Sequence, residues 1–146
     1  MALTISRSLL AAVIRHCQQE QPWEACGMLA GTGRVVRRAF HMRNAANSPV
    51  CYRIDAREQA QVMDEIARRG ERLLAIYHSH PTAPAQPSRR DIELAAYRDV
   101  VYVIISLRRP VTVRGFYIKD GQAWPEFIRV LPKISAPIGH LQPVRI

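Results

Sequence analysis

The sequence predicts a single α/β domain in which a mixed β-sheet lies between helices. Its 146 residues are 48% hydrophobic and 23% charged, which is typical of a globular chain long enough to bury a core. Hydrophobic patterns of helical and of strand period alternate along the chain. Two near-continuous apolar runs, residues 72–78 and 100–107, are typical of central strands covered on both faces. The domain is expected to span residues 1–130, followed by an irregular arm over residues 131–146, where three prolines interrupt any period.

The N-terminal half is predicted to contain a helix, a hairpin and a second helix. A helix is expected over residues 6–20 because apolar residues recur there at helical spacing. These residues are Leu10, Val13, Ile14 and Cys17. Two strands then meet at residues 31–33, Gly-Thr-Gly, which is a hairpin signal. Asp55, followed by Glu58, predicts the start of the second helix, which is expected to end at Gly70.

The C-terminal half is predicted to contain a short helix and a second hairpin. Ser88 and Asp91 match the S-x-x-D pattern of a helix start, between the two apolar strands. Asp120 and Gly121 predict a hairpin between residues 112–118 and 122–130. A proline within the second of these runs favours an edge strand or a bulge.

Composition argues against several classes of protein. No apolar run reaches the roughly 18 residues that a membrane-spanning helix needs, and the apolar segment near the N-terminus is too short for a signal peptide. A cytoplasmic protein without a membrane partner is therefore expected. Three cysteines without a C-x-x-C pair argue against a disulfide framework. The net charge of +9 comes almost wholly from arginine; it either attracts acidic partners, protein or nucleic acid, or belongs to an ordinary solvated surface.

The stretch HSHPTAPAQPSRRD, residues 78–91, has the composition of a metal site. Because strand side chains alternate, His78 and His80 leave the same face. Asp91 follows a loop stiffened by prolines, which reduces the entropy lost when a third ligand is placed. Two imidazoles and one carboxylate, with a fourth position left to water, form a ligand set of catalytic zinc sites. We therefore predict one Zn²⁺ held by His78, His80 and Asp91.

Amide hydrolysis at such a site needs two further groups. Zinc lowers the pKa of its bound water and polarises a carbonyl, but a carboxylate outside the metal shell must carry the proton to the leaving amine. Glu24, which leads into a predicted apolar strand, is the candidate base; the alternative is a surface charge. The Ser88 hydroxyl is the candidate donor to the developing oxyanion, and that role is compatible with helix capping.

Neighbouring residues have structural as well as functional interpretations. Cys26 shares the face of Glu24 if that segment is extended, and is either a buried structural thiol or a redox-sensitive thiol within reach of the zinc. Ser79 points away from the two histidines and is expected to tie its strand to a neighbour. Arg89 and Arg90 either meet a carboxylate of a substrate or partner, or are solvated at the helix start.

Together these residues resemble the pattern of the JAMM, or MPN-plus, zinc metallopeptidases (Mov34/PAD-1 type). That pattern is a glutamate, then H-[ST]-H-P, a serine and, three residues later, an aspartate. The chain supplies Glu24, His78-Ser79-His80-Pro81, Ser88 and Asp91. The segments EACGMLAG, RNAANSPVCYRIDAREQ and AIYHSHPTAPAQPSRRDIELA are further similar to the bacterial single-domain branch that acts on ubiquitin-like sulfur-carrier proteins, including its cysteine-releasing type. The resemblance covers about residues 20–118.

The resemblance implies a cytidine-deaminase-like α-β-α sandwich and assigns the site. The implied residues are His78, His80 and Asp91 on zinc, Glu24 as general base and Ser88 at the oxyanion. The segment with Asn44, Ser48 and Tyr52 would form a groove wall that holds an extended C-terminal tail by strand addition. The chain lacks the insertions of eukaryotic deubiquitinating relatives, and its spacer differs from that of the DNA-repair-associated branch. It also lacks the H-x-E and P-C-x-x-C pattern of nucleoside deaminases.

The predicted function is therefore a zinc-dependent metallopeptidase that hydrolyses an amide or isopeptide bond after the C-terminal glycine of a ubiquitin-like sulfur-carrier protein, with Glu24 activating a zinc-bound water. The alternative is a basic nucleic-acid-binding or interaction module of the same fold with a structural zinc. Nucleic acid is disfavoured because aromatic residues are not interleaved with the arginines. A homodimer is left open.

Overall fold

Eight strands form one mixed sheet in the computed structural model, which describes residues 2–132. The strands are β1 (Leu3–Ser6), β2 (Cys26–Thr32), β3 (Val35–Met42), β4 (Arg72–His80), β5 (Val101–Ser106), β6 (Thr112–Lys119), β7 (Gln122–Glu126) and β8 (Ile128–Leu131). The helices are α1 (Arg7–Gln19), α2 (Ala56–Arg68) and α3 (Arg89–Leu94). The sheet order is β7-β6-β5-β4-β2-β3-β1-β8. Strand β4 lies in the middle, parallel to β5 and antiparallel to β2.

Helices cover both faces of the sheet. On one face, Leu9 and Val13 of α1 join a buried cluster that includes Tyr77 of β4. On the other, Ile66 of α2 joins a second buried cluster that includes Ile76 of β4. Successive side chains of β4 alternate between these two layers, which we name the α1 face and the α2 face. The predicted sandwich with a mixed central sheet is confirmed.

The three predicted helix starts are confirmed by their caps. Ser6 caps α1 and Ser88 caps α3. Asp55 caps α2, where its carboxylate accepts the N–H of Glu58 at 3.1 Å. The third helix is short and ends at Leu94.

The two ends of the sheet differ from the prediction. The sequence pattern did not indicate β1, a four-residue strand directly before α1. The run 122–130 is predicted as one strand, whereas Phe127 divides it into β7 and β8. The reason is a change of partner: the Phe127 carbonyl accepts the N–H of Leu3 at 3.0 Å, so pairing moves from β6 to β1. Because β7 and β8 lie at opposite ends of the sheet order, the sheet must curve until its ends approach.

The second hairpin and the edge position of Pro125 are confirmed. Asp120 and Gly121 have φ values of 54° and 73°, which suit the tight turn between β6 and β7. Pro125 lies in β7, an edge strand in the sheet order. Strand β8 ends at Leu131, and residues 133–146 of the predicted arm lie outside the described residues. Within the described part of the chain, no helix is long and apolar enough to cross a membrane.

Candidate metal centre

The two predicted histidine ligands are the last polar residues of β4 on the α2 face. His78 and His80 are 1% and 3% exposed. Ser79, between them, points to the α1 face, where its Oγ accepts the N–H of Ala25 at 2.8 Å. The Ser79 N–H in turn donates to the Ala25 carbonyl at 3.0 Å. The prediction that Ser79 ties its strand to a neighbour is confirmed, and these bonds fix the end of β4 from which both imidazoles project.

The third predicted ligand, Asp91, lies in the first turn of α3. The Ser88 N–H donates to Asp91 Oδ2 at 2.8 Å, and the Asp91 N–H donates to Ser88 Oγ at 3.0 Å. This reciprocal pair is a capping box, which fixes both the backbone and the carboxylate of Asp91. The Ser88 oxygen is therefore occupied as an acceptor, while its hydroxyl proton remains free to be donated.

The three ligand atoms form a nearly equilateral triangle. His78 Nε2 lies 3.2 Å from His80 Nε2 and 3.2 Å from Asp91 Oδ2, and His80 Nε2 lies 3.1 Å from Asp91 Oδ2. A tetrahedral zinc site with bonds of about 2.0–2.1 Å separates its ligand atoms by about 3.3 Å. The donor set and its spacing therefore fit a zinc ion. Among the described residues, no other group of three such side chains converges in this way.

The two imidazoles are held in different ways. His80 Nδ1 donates to the Pro84 carbonyl at 2.8 Å, which fixes its tautomer and leaves Nε2 with a lone pair for a metal. His78 Nδ1 is buried and has no hydrogen-bond partner within residues 2–132. Instead, the ring of Tyr52 stacks on His78, with centroids 4.6 Å apart and planes at 25°. Packing against Tyr52 therefore orients the His78 ring, whereas a hydrogen bond to Pro84 orients the His80 ring.

Burial and hydrogen bonds set the charge states of the triangle. Burial lowers the pKa of His78, which keeps its imidazole neutral. Burial also opposes ionisation of Asp91, but hydrogen bonds to His78 and His80 hold the pKa of that carboxyl well below its usual range. For His80, burial is outweighed by Asp91 and the Pro84 carbonyl, so its pKa is raised. The Asp91 carboxylate thus favours a cation at this place, a proton or a metal ion.

Glu24 lies beside the histidines. Cys26, two residues after Glu24, pairs with His78 across β2 and β4, and the charges of His80 and Asp91 act on the Glu24 carboxyl. The Glu24 side chain is buried, and its Oε1 has no hydrogen-bond partner among the described residues. Burial raises the pKa of this carboxyl to about 8. A carboxyl that titrates near neutral pH suits proton transfer.

Asn44 anchors the backbone of Glu24 to the loop that follows β3. The Asn44 amide donates to the carbonyls of Glu24 at 2.9 Å and Cys51 at 3.0 Å. The Glu24 N–H donates to the Ser48 carbonyl at 2.9 Å. Sequence reasoning placed Asn44, Ser48 and Tyr52 only on a groove wall and missed their direct contacts with the site. Their proximity depends on the path of this loop, which no periodic pattern reveals.

The surroundings of the remaining candidate residues indicate different roles. Cys26 is fully buried, its Sγ lies 3.9 Å from the Met42 carbonyl, and burial raises its pKa to about 12; these properties fit the structural interpretation. Arg89 is exposed and has Glu93 as a carboxylate neighbour at 3.9 Å. Arg90 instead lines a cavity next to Asp91.

Comparison with protein families supports the resemblance seen in the motif. Residues 6–119 match the family described as prokaryotic homologs of the JAB domain. The chain is 38% identical over 133 residues to the CysO-cysteine peptidase of Mycobacterium tuberculosis, covering 88% of this chain and 91% of that protein.

Two further similarities agree with this match. The chain is 39% identical over 123 residues to a protein of Thermus thermophilus named probable TtuB-protein conjugate cleaving protease, covering 84% of this chain and 80% of that protein. A solution structure of a Desulfitobacterium hafniense protein superposes with a TM-score of 0.85 at 31% identity, covering 95% of this chain and 97% of the other.

Proposed function

This chain belongs to the prokaryotic branch of the JAB domain family, and from that premise we propose that it is a zinc-dependent hydrolase of ubiquitin-like sulfur-carrier proteins. It is a JAMM-type peptidase or isopeptidase. The observation that carries the zinc-dependent chemistry is the triangle of His78, His80 and Asp91 with the buried Glu24 carboxyl beside it. The proposed reaction cleaves the amide or isopeptide bond after the C-terminal glycine of the carrier.

The chain's own groups have distinct roles in this proposal. His78, His80 and Asp91 would hold Zn²⁺, which acts as a Lewis acid and lowers the pKa of water. Glu24 accepts a proton from the attacking water and passes it to the leaving amine nitrogen. The Ser88 hydroxyl donates to the carbonyl oxygen as negative charge develops there. Water is consumed, and the products are a carrier ending in a free glycine carboxylate and an amine.

The substrate class comes from the relatives. Their names specify CysO-cysteine and a protein conjugate of TtuB, and the leaving amine that we propose here is cysteine, a short peptide or another amine. The loop with Asn44, Ser48 and Tyr52 would hold the extended C-terminal tail of the carrier. We place the reaction in the cytoplasm.

The direct test is to incubate zinc-loaded protein with the small ubiquitin-like carriers of its own organism, each extended past the terminal glycine. Mass spectrometry should show loss of the extension alone. If no carrier is shortened, the proposed function is wrong.

Two variants separate the roles of base and ligand. Glu24→Gln is isosteric and should keep zinc, but hydrolysis should fall by about 10²–10⁴-fold because the proton carrier is lost. His80→Ala should lose bound zinc as well, measured as metal content after gel filtration. A fully active Glu24→Gln enzyme would refute the assigned base.

A further inference from the structure

A cavity of about 400 Å³ opens beside Asp91 on the α2 face. Its walls are mainly aromatic and aliphatic: Tyr52 and Ile54 come from the loop before α2, and Leu94 and Tyr97 from α3 and the segment after it. Since Tyr52 stacks on His78 and Asp91 itself lines the space, the cavity adjoins the metal triangle. A group bound there would lie next to the reacting bond.

Several polar groups in this cavity already have partners. The Gln59 amide donates to the Tyr97 hydroxyl at 2.5 Å. The Tyr102 hydroxyl accepts the backbone N–H groups of Ala96 and Tyr97 at 3.1 and 3.0 Å. These bonds lie within the wall itself, so they hold its shape and leave these groups with less capacity for a ligand.

Two arginines are different. Arg53, in the loop before α2, and Arg90, in α3, both line the cavity. Within residues 2–132, no carboxylate lies within 4 Å of either guanidinium, whereas Arg38 and Arg98 have carboxylate partners at 3.0 and 2.8 Å. The Arg53 guanidinium donates one hydrogen bond, to the Ala45 carbonyl at 3.3 Å. Both groups therefore retain N–H donors that can bind a carboxylate in this cavity.

We propose that Arg53 and Arg90 bind a carboxylate of the substrate in this cavity and so determine which carrier adducts the enzyme selects. A guanidinium binds a carboxylate through two parallel hydrogen bonds, and both arginines are exposed, so a substrate carboxylate can reach them. The inference rests on the proposed function. The carboxylate has two sources on such a substrate: the α-carboxylate of a one-residue leaving group, or an acidic side chain in the carrier tail.

The test compares three forms of one carrier extended by a single cysteine. The first ends in a carboxylate and the second in a carboxamide; in the third, the acidic residues of the tail are replaced by their amides. Each form is assayed with the wild-type zinc enzyme and with Arg53→Gln and Arg90→Gln. Arg89→Gln is the matched control, because Arg89 neighbours Arg90 in sequence but does not line this cavity.

We expect KM for the first form to rise about tenfold in Arg53→Gln and in Arg90→Gln, with kcat little changed and with Arg89→Gln like wild type. One amide form should show the same rise with wild-type enzyme and no further rise with the arginine variants; which form does so identifies the source of the carboxylate. The inference is overturned if wild-type enzyme cleaves all three forms equally, or if Arg89→Gln loses as much as Arg90→Gln. If wild-type enzyme cleaves none of the three forms, the proposed function is wrong, and this inference, which depends on it, is wrong as well.

Discussion

Strand β4 carries polar side chains on both faces, and the two faces differ in whether those groups have partners. On the α1 face, the Tyr77 hydroxyl lies 2.7 Å from His16 Nδ1, and Ser79 Oγ accepts the Ala25 N–H. On the α2 face, His80 Nδ1 bonds the Pro84 carbonyl, but His78 Nδ1 is buried without a partner in the described residues, as is Oε1 of Glu24 just before β2. An unpaired buried polar atom costs about 1–3 kcal/mol. These polar groups of the α1 face are all hydrogen-bonded to each other or to backbone, which fits a structural role. The unpaired polar atoms of the α2 face can still bind water, a metal ion or a substrate.

The largest expected effect comes from breaking the closed face by Gly27→Ala. A Cβ at Gly27 would lie 2.1 Å from Cε2 of Tyr77, whose ring is fully buried. We expect the free energy of unfolding, measured with urea, to fall by about 3 kcal/mol through overpacking. In a Tyr77→Val background the same glycine change should cost far less. An equal cost in both backgrounds would show that the tyrosine ring is not the obstacle.

A smaller effect is expected on the open face from Tyr52→Leu. Loss of the stacked ring frees His78, which has no hydrogen bond at Nδ1 to orient it. We expect zinc affinity, measured by competition with a chelator, to fall about tenfold, as for other groups that orient a metal ligand. Tyr52→Phe keeps the ring and should bind zinc like wild type. Wild-type affinity in Tyr52→Leu would contradict an orienting role for the stack.

The smallest expected effect is a pH dependence that arises on the closed face. Burial, aided by the charge of His41, lowers the pKa of His16 from 6.5 to about 4. The folded protein therefore binds fewer protons than the unfolded chain between these values, so stability falls as pH drops from about 6.5 to 4. His16→Gln should reduce that fall by about 1 kcal/mol for each pH unit, or about 2–4 °C in Tm. Thermal unfolding of the metal-free protein, measured across this pH range, tests the prediction. An equal fall of Tm with pH in His16→Gln and wild type would contradict it.

The sequence was most informative where short-range rules act. Strand period alone places His78 and His80 on one face, and the capping pattern places Asp91 at a helix start. The ligand triangle therefore follows from local geometry plus one loop of fixed length. The placement of Glu24 required the register between β2 and β4, for which the sequence offered only the resemblance of its motif.

What the sequence did not indicate depends on contacts between distant segments. Strand β1 is too short for a hydrophobic period, and the division at Phe127 reflects pairing with Leu3 at the other end of the chain. The stack of Tyr52 on His78 and the bond between His16 and Tyr77 join residues far apart in sequence. No window of neighbouring residues contains both members of such a pair.

The capping box of α3 gives Asp91 two simultaneous tasks, since its Oδ2 accepts the Ser88 N–H and also faces both imidazoles. A six-residue helix has little stability of its own. Formation of this helix and binding of a metal ion would therefore be coupled: fraying of the helix would weaken metal binding, and a bound metal ion would stabilise the helix. Substitutions that change no ligand residue but destabilise α3 would therefore be measured as a loss of metal affinity.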